Sequence, residues 1–580
     1  MLPLLNQAIE LQVQPLRLLF RSAAPHSRIT VKFRNAWSPL TRAKPLSFRC
    51  WSYRVMATSP GGPGQFQVKE KIDLTDTEKQ IFDRLLGTLR HFDLQTELRV
   101  AGGWVRDKLL GKECYDIDIA LDNMLGSEFV DKVKEYLSSV GEEAQGLAVI
   151  PCNPDQSKHL ETARIRLCSL WIDFVNLRCE DYTEDSRIPT MKFGTAEEDA
   201  YRRDLTINSL FYNINTGLVE DLTGRGVADL RSGKIVTPLP PKATFLDDPL
   251  RVLRAIRFGS RFRFSLDEEL TEAAACDDVK KALGVKISRE RIGSEIDLMM
   301  SGPDPVQAMT YISDLTLFWV VFSLPPEQDT SLSEECDRLC VSYLDAVWNL
   351  IQAIGPATFS DEQRRLSLYA ALLLPFRKAT YKDNKAKKIP VINHIFRVSL
   401  KRKASDAETV ININNTLEKF LSLIPCFTSD DNIKLAEVDR EIDFVDVPVN
   451  SKLRILTGFL LREIKDFWRA SLLMSTLLYP ADIDYTRGFL NMQFEINKRK
   501  DLFKAVENAV VNLGLEKVWE VKPLINGKDI MSVLQLKSGG PLVSEWQRKL
   551  LAWQLAHPSG TAEECLEWMK ENHLKGANMM

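Results

Sequence analysis

The chain has 580 residues, 44% apolar and 27% charged, with a net charge of −3 at pH 7. That length predicts several domains around a large core, and the composition is that of an ordinary globular protein, not a disordered or disulfide-stapled one. No run of about 18 apolar residues is present to span a membrane, and ten cysteines without CxxC spacing give neither a metal-ligand pattern nor a disulfide framework.

Residues 1–55 hold nine Lys or Arg against one acid, Glu10, among serines and scattered leucines. An acid-poor, arginine-rich start of this kind predicts an organelle-targeting presequence over residues 1–57; a disordered extension without an address is the alternative. Residues 58–69, with Pro60-Gly61-Gly62-Pro63-Gly64, read as a flexible linker. Met56 stands at the junction. A long form would go to the mitochondrion and/or plastid, and a form starting at Met56 would stay in the cytoplasm or nucleus.

The folded part begins near residue 70. Asp76-Thr77-Glu78 opens a helix with Ile81, Leu85, Leu86 and Leu89 on one face. A strand at 98–101 runs into Gly102-Gly103, where N–H groups can approach a phosphate and glycine allows close backbone contact. Arg106, one turn into the next helix, offers a bidentate fork to the same anion. The competing reading, an ion pair with Asp107, is disfavoured because adjacent helix residues diverge. A second strand alternates Asp116 and Asp118 with Ile117, Ile119 and Leu121. The two carboxylates share one side, repel each other, and call for a counter-cation such as oxygen-seeking Mg²⁺.

A helix near 126–139 and strands near 147–151, 160–168 and 170–178 follow. They predict a small mixed sheet with helices on one side. Asp173, on the last strand, reads as an ordinary strand-face aspartate more readily than as a third metal ligand. The polar stretch 180–199 reads as a break in the sheet, and helical periodicity is expected to dominate from 197 onward, with domain breaks near 301–305 and 380–390. Cys336 and Cys340, one helical turn apart, read as partly buried thiols.

Further motifs come in order. Arg202-Arg203-Asp204-Leu205-Thr206-Ile207-Asn208 is followed by Glu220-Asp221-Leu222-Thr223-Gly224-Arg225-Gly226, then by Asp247-Asp248-Pro249-Leu250-Arg251-Val252-Leu253-Arg254-Ala255-Ile256-Arg257, and last by Ile287-Ser288-Arg289-Glu290-Arg291. Asp204 has the spacing to cap a helix through Ile207. Asp248, Arg251, Arg254 and Arg257 recur every three residues near one helix face, with Pro249 suited to the first helical position. Three stacked arginines need an anion opposite; ion pairs with the acids at 267–269 are the bland reading.

With these motifs in hand, residues 80–295 resemble the class II tRNA nucleotidyltransferases, the CCA-adding enzymes, which share a catalytic head with bacterial poly(A) polymerases. Pro523-Leu524-Ile525-Asn526-Gly527-Lys528-Asp529 is similar to a stretch in the tails of such enzymes. The resemblance implies an α+β fold, with a polymerase-β-like head over 70–215, then a helical neck (216–300), body (301–450) and tRNA-binding tail (451–580). It implies addition of C, C and A to tRNA 3′ ends from CTP and ATP. Asp116 and Asp118 would be the Mg²⁺ ligands. Gly102, Gly103, Arg106 and Arg203 would lie on the triphosphate, and Arg202 would be a surface or tRNA contact.

The same resemblance makes Asp248 and Arg251 a protein template, with Arg254 and Arg257 on the nucleotide. An acceptor beside a donor matches the edges of C and A, and leaves G or U unpaired. Asp247-Asp248 replaces the family's usual Glu-Asp. A loop near 180–199 is implied to assist the switch from C to A. With so little net charge, RNA binding must rest on a local basic surface. No membrane and no protein partner is implied. The rival readings are a poly(A) polymerase of the same superfamily and a non-catalytic RNA-binding protein on this fold.

Overall fold

The computed structural model describes residues 67–142, 146–150, 162–183, 186–326, 335–383, 385–428, 449–480 and 492–577. The expected presequence lies outside these residues. Helix α1 (Asp76–His91) starts at a capping box: the Thr75 hydroxyl accepts from the Glu78 N–H, and the Glu78 carboxylate accepts from the Thr75 N–H. Its apolar stripe, Ile81, Phe82, Leu85 and Leu89, is buried, as the spacing predicted for three of the four.

The head is a seven-stranded mixed sheet. Strands β1 (Leu98–Ala101), β2 (Ile117–Leu121), β3 (Leu147–Ile150), β4 (Thr162–Leu167), β5 (Leu170–Asn176), β8 (Phe211–Asn213) and β9 (Leu218–Glu220) lie in the order β3-β4-β5-β2-β1-β8-β9. Only β2 and β5 are parallel neighbours. The parallel step needs a crossover, and α3 (Gly126–Ser139) begins it. Helices α1 and α3 pack together on one face of the sheet, over Ile117, Ile119 and Leu121. The opposite face carries Asp118 and a small separate cluster of Ala101, Ala120, Leu177, Ala200 and Phe211. The two strand alanines, Ala101 and Ala120, put only small side chains on this face beside Asp118. Helix α2 (Gly103–Leu109) leaves the end of β1.

Two expectations need correction. The polar stretch after β5 is a hairpin, β6 (Arg178–Thr183) paired antiparallel with β7 (Ser186–Phe193), standing as its own ladder. Helices do not take over at 197 either. After α4 (Ala196–Tyr201) the chain returns to the sheet as β8 and β9, so the sheet runs on to Glu220. Strands of three residues are too short to leave a period-2 signature, which is why the sequence hid them.

Beyond the sheet come α5 (Gly226–Ser232), α6 (Pro241–Asp247), α7 (Leu250–Phe262), α8 (Glu268–Ala274), α9 (Asp277–Lys286) and α10 (Arg289–Met300). Short β10 (Lys234–Ile235) and β11 (Ser265–Leu266) pair in parallel. Pro249 takes the cap position immediately before α7. Among the described residues the rest is helical apart from one further hairpin. Cys336 and Cys340 are buried, and all cysteines among the described residues are free thiols. In the tail motif, the Asn526 side chain caps the helix Gly527–Val533 by accepting from Lys528 and Asp529 N–H at 2.8 and 3.2 Å. Among the described residues no helix is long and apolar enough to cross a membrane.

Candidate active site

Asp116 is exposed just before β2, and Asp118 sits on the strand, partly covered. The parallel pairing sets Asp173 of β5 directly in register with Asp118. Three carboxylates therefore crowd one edge of the sheet face. Burial, then Asp116, then Asp173 push the Asp118 carboxyl up to about 6, although Arg203 and Arg164 pull the other way. Arg164 forks onto Asp173, with Nη2 at 2.6 Å from Oδ2. Asp173 thus stands beside the proposed metal ligands while already holding a cation. Among the described residues no three acidic, His or Cys groups converge tightly enough to hold an ion by themselves. Two carboxylate ligands completed by substrate phosphates is, however, the usual way Mg²⁺ is held, and Asp116 with Asp118 fits that donor set.

The turn between β1 and α2 abuts this edge. Gly102 has φ +70°, and a Cβ there would lie 2.7 Å from Nη1 of Arg203 and 3.1 Å from the Asn208 carbonyl oxygen. Only glycine allows that conformation beside that contact. Arg203 is gripped from behind: Nε and Nη2 donate to Asp199 Oδ2 at 3.0 and 2.8 Å, and Nη1 donates to the Asn208 carbonyl at 3.2 Å. Its guanidinium covers the Phe211 ring at 5.0 Å. The Arg203 charge is thereby fixed between the glycine turn and Asp118.

Arg202 is partly exposed and is held from behind. It donates to Oδ1 of the same Asp199, at 2.9 Å from Nε. Asp199 is 1% exposed. Burial alone would raise its pKa, but Arg203 and Arg202 hold it below the usual carboxylate value. Sequence reasoning passed over Asp199, yet its i,i+3 and i,i+4 spacing to two arginines was a readable signal.

Arg106 also departs from expectation. It is 3% exposed, and Nε is 2.8 Å from Asp107 Oδ1, so the disfavoured neighbour pair does form. A long guanidinium stem can bend back to an adjacent carboxylate when both are buried. Nη1 donates to the Asn208 side chain, and the guanidinium lies 5.0 and 4.8 Å from the Phe258 and Phe262 rings. Asn208 is a second residue the sequence reading undervalued, because it meets Arg106, Arg203 and Asp204 at once.

The helix α7 completes the arrangement. Asp248 accepts from Arg291 Nη2 at 3.0 Å and from the Leu250 N–H at 3.2 Å. Arg251 is buried and donates through Nη2 to the Arg202 carbonyl at 2.7 Å. Arg254 Nε reaches Asp204 Oδ2 at 2.7 Å, and Arg257 Nε reaches Glu295 Oε2 at 2.6 Å. The arginines' anions are therefore Asp204 and Glu295, not the acids at 267–269. Asp204 does not cap through Ile207; it accepts from the Leu205 N–H at 2.9 Å and from Asn208 Nδ2 at 3.1 Å. Burial would raise its pKa, but Arg254, Asn208 and Arg251 bring it down to about 2.

The structure thus links the proposed template helix α7 to Arg203 by polar contacts through Arg202, Asp204, Asp199 and Asn208, and the Arg203 charge in turn acts on Asp118. Residues 98–236 match the model of the poly A polymerase head domain family. Over 543 residues the chain is 32% identical to the mitochondrial CCA tRNA nucleotidyltransferase of Candida glabrata, covering 87% of this chain and 97% of that protein. The chain belongs to the CCA tRNA nucleotidyltransferase family. It is also 32% identical over 519 residues to tRNA nucleotidyltransferase cca2 of Schizosaccharomyces pombe, covering 86% of this chain and 99% of that protein. The fold matches that of the Bacillus stearothermophilus CCA-adding enzyme in complex with CTP, with a TM-score of 0.55 at 18% identity, over 87% of this chain and 100% of that one.

Proposed function

We propose that the chain adds C, C and A to the 3′ end of tRNA without a nucleic-acid template, using CTP and ATP and releasing pyrophosphate. The observation that carries this reading is the chain of polar contacts from Arg251 to Arg203, whose charge acts on Asp118, because it joins the base-reading helix to a phosphoryl-transfer site.

Family membership and the donor set support a divalent metal, and we assign Mg²⁺ to Asp116 and Asp118. When bound, it supplies charge stabilisation for the attacking and leaving oxygens. The 3′-hydroxyl oxygen gives up its proton to solvent and bonds to the α-phosphorus as the bond to the pyrophosphate oxygen breaks. The N–H groups of the Gly102–Gly103 turn and the fixed Arg203 guanidinium hold the phosphates. Arg106 serves this turn from beneath, by bracing α2 against Asn208 and α7. Asp173 becomes a third available carboxylate when Arg164 lets it go.

Asp248 accepts from the exocyclic amine, and Arg251 donates to the ring nitrogen, which C and A offer together. Arg254 and Arg257 flank the nucleotide on the same helix. The domain division proposed from the sequence gives the grip on tRNA to the tail. The mitochondrial names of two relatives support a mitochondrial address in residues 1–57; the plastid alternative and a shorter form from Met56 in the cytoplasm or nucleus rest on the sequence alone.

The test is incubation of the purified protein with tRNA lacking CCA and with each NTP separately and together, followed by sequencing of the products. Two C residues from CTP alone, and one A after them when ATP is present, is the expected result. A lengthening run of A on unrelated RNA would instead identify a poly(A) polymerase, and no extension at all a non-catalytic RNA binder.

A further inference from the structure

A chain of net charge −3 must still hold a polyanion. Along residues 377–403 stand ten Lys or Arg and one acid, Asp383. The segment opens as a hairpin, β12 (Thr380–Lys382) paired antiparallel with β13 (Lys388–Pro390), with Lys382 directly opposite Lys388. Like charges in register do not favour the pairing by themselves. The single acid, Asp383, is turned towards the backbone of the tip. Its Oδ1 accepts from the Lys385 and Lys387 N–H groups at 2.9 and 2.8 Å, and its N–H donates to the Lys387 carbonyl at 3.0 Å. The turn is closed by Ala386 at φ +59°. What it displays is Lys382, Lys385 and Lys387, all exposed.

The segment's other end sets its position. Arg402 turns inward onto Asp297 at 2.6 Å, while Arg397, Lys401 and Lys403 are exposed. Between them the Leu400 backbone lies against Gly293 of α10 so closely that a Cβ there would meet the Leu400 carbonyl oxygen at 1.7 Å. At 100° per residue, Gly293 is on the side of α10 opposite Arg291 and Glu295. Those two residues hold Asp248 and Arg257. The Leu400 end of the basic segment is therefore seated one helix away from α7.

We propose that the β12–β13 hairpin is a phosphate-contact surface for the body of the tRNA, holding the duplex backbone while the 3′ end lies in the site. This rests on the CCA-adding reading. Lysines are point charges that position a backbone without reading sequence. The one aromatic residue in the ladder, Tyr381, is half-buried edge-on to His394 at 5.6 Å and is not offered for base stacking. A lysine-rich segment can also serve as a nuclear address. A receptor takes such an address as an extended chain, and here the chain is locked in a ladder and a side-chain-bonded turn.

The test is the full-length variant carrying Lys382→Gln, Lys385→Gln and Lys387→Gln. At about 0.1 M salt its Kd and KM for tRNA lacking CCA should rise tenfold or more. The slope of log Kd against log salt should shrink by about 2, from about 0.7–0.9 per phosphate contact. The kcat at saturating tRNA and the KM for CTP should not move. The matching Lys→Arg triple variant should retain tRNA affinity, which separates charge from folding. Unchanged tRNA affinity and salt slope would overturn the proposal, as would lost nuclear accumulation with unchanged tRNA binding. Hairpin-dependent tRNA binding by a wild-type protein that adds no nucleotides would leave the hairpin assignment standing and defeat the CCA reading alone.

Discussion

Asp118 carries a charge that the metal-free fold resists, and this has a measurable consequence. Its carboxyl lies at about 6 in place of the ordinary 3.8, through burial first and then the nearby Asp116 and Asp173. Between those two values the folded state binds more protons than the unfolded state. Stability must therefore fall as pH rises through this window. The full displacement corresponds to about 3 kcal/mol. Asp118→Asn keeps the shape and removes the charge, so in EDTA the variant should be more stable than wild type at pH 7.5, with the gap closing towards pH 4. Asp204, lowered to about 2, acts with the opposite sign and only below its ordinary range; it cancels in the difference. Mg²⁺ should restore wild-type stability and leave Asp118→Asn unmoved. Its affinity should drop about tenfold from pH 7 to pH 5, because a proton with a pKa near 6 competes for the ligand. The assay is the thermal midpoint of both proteins from pH 4.5 to 7.5, with EDTA and with Mg²⁺. Parallel curves for the two proteins in EDTA would refute the reasoning.

Arg203→Ala should lower kcat/KM for CTP and ATP alike by about 100-fold or more, at about 1.5–3 kcal/mol per lost charge-assisted bond. Arg203→Lys should not recover it, since an ammonium cannot span both Asp199 and the phosphates; steady-state kinetics with each NTP decides this. Removing residues 181–190, so that Glu180 runs directly into its register partner Met191, should spare the two C additions and impair the terminal A. Product sequencing reads that split, and equal loss of both would point to a folding role for the hairpin. Asp248→Ala and Arg251→Ala should each lower kcat/KM for the correct nucleotide by about 10–100-fold, at about 1–3 kcal/mol per buried hydrogen bond, and should relax rejection of G and U. Kinetics with all four NTPs on tRNA ending before its first C test this, and unchanged selectivity would remove both residues from the template role.

The sequence was most legible where one local rule acts alone. Alternation of acids with Ile117, Ile119 and Leu121 placed β2 and its carboxylate side. Residue spacing placed α1 and α3, and the glycine pair marked the turn that φ +70° at Gly102 confirms. What stayed hidden depends on contacts between distant segments. No local pattern announces that Asp173 will lie in parallel register beside Asp118, because a crossover sets that pairing. Arg254 meets Asp204 across 50 residues, where even the bland alternative looks to the nearby acids at 267–269. Arg106 and Asp107 pair because both are buried at a helix–helix contact, whereas the spacing rule describes solvated helix surfaces.

These long-range contacts share one logic. Every arginine assigned to the nucleotide is already in contact with an acid or a carbonyl before the substrate arrives: Arg203 on Asp199, Arg251 on the Arg202 carbonyl, Arg254 on Asp204, Arg257 on Glu295. An unpaired buried guanidinium would be costly, and one free to swing would lose rotamer entropy on binding. Pairing each to a fixed acid or carbonyl settles its direction in advance while leaving its remaining N–H donors for substrate. The acids are not interchangeable with water, since a buried carboxylate fixes the fork to within a hydrogen bond's tolerance. A conservative change behind the site should therefore act through geometry alone. Asp199→Asn would keep the size of the side chain while weakening its grip on two arginines at once. Its cost should appear in kcat for CTP and ATP together, with the affinity for tRNA unchanged.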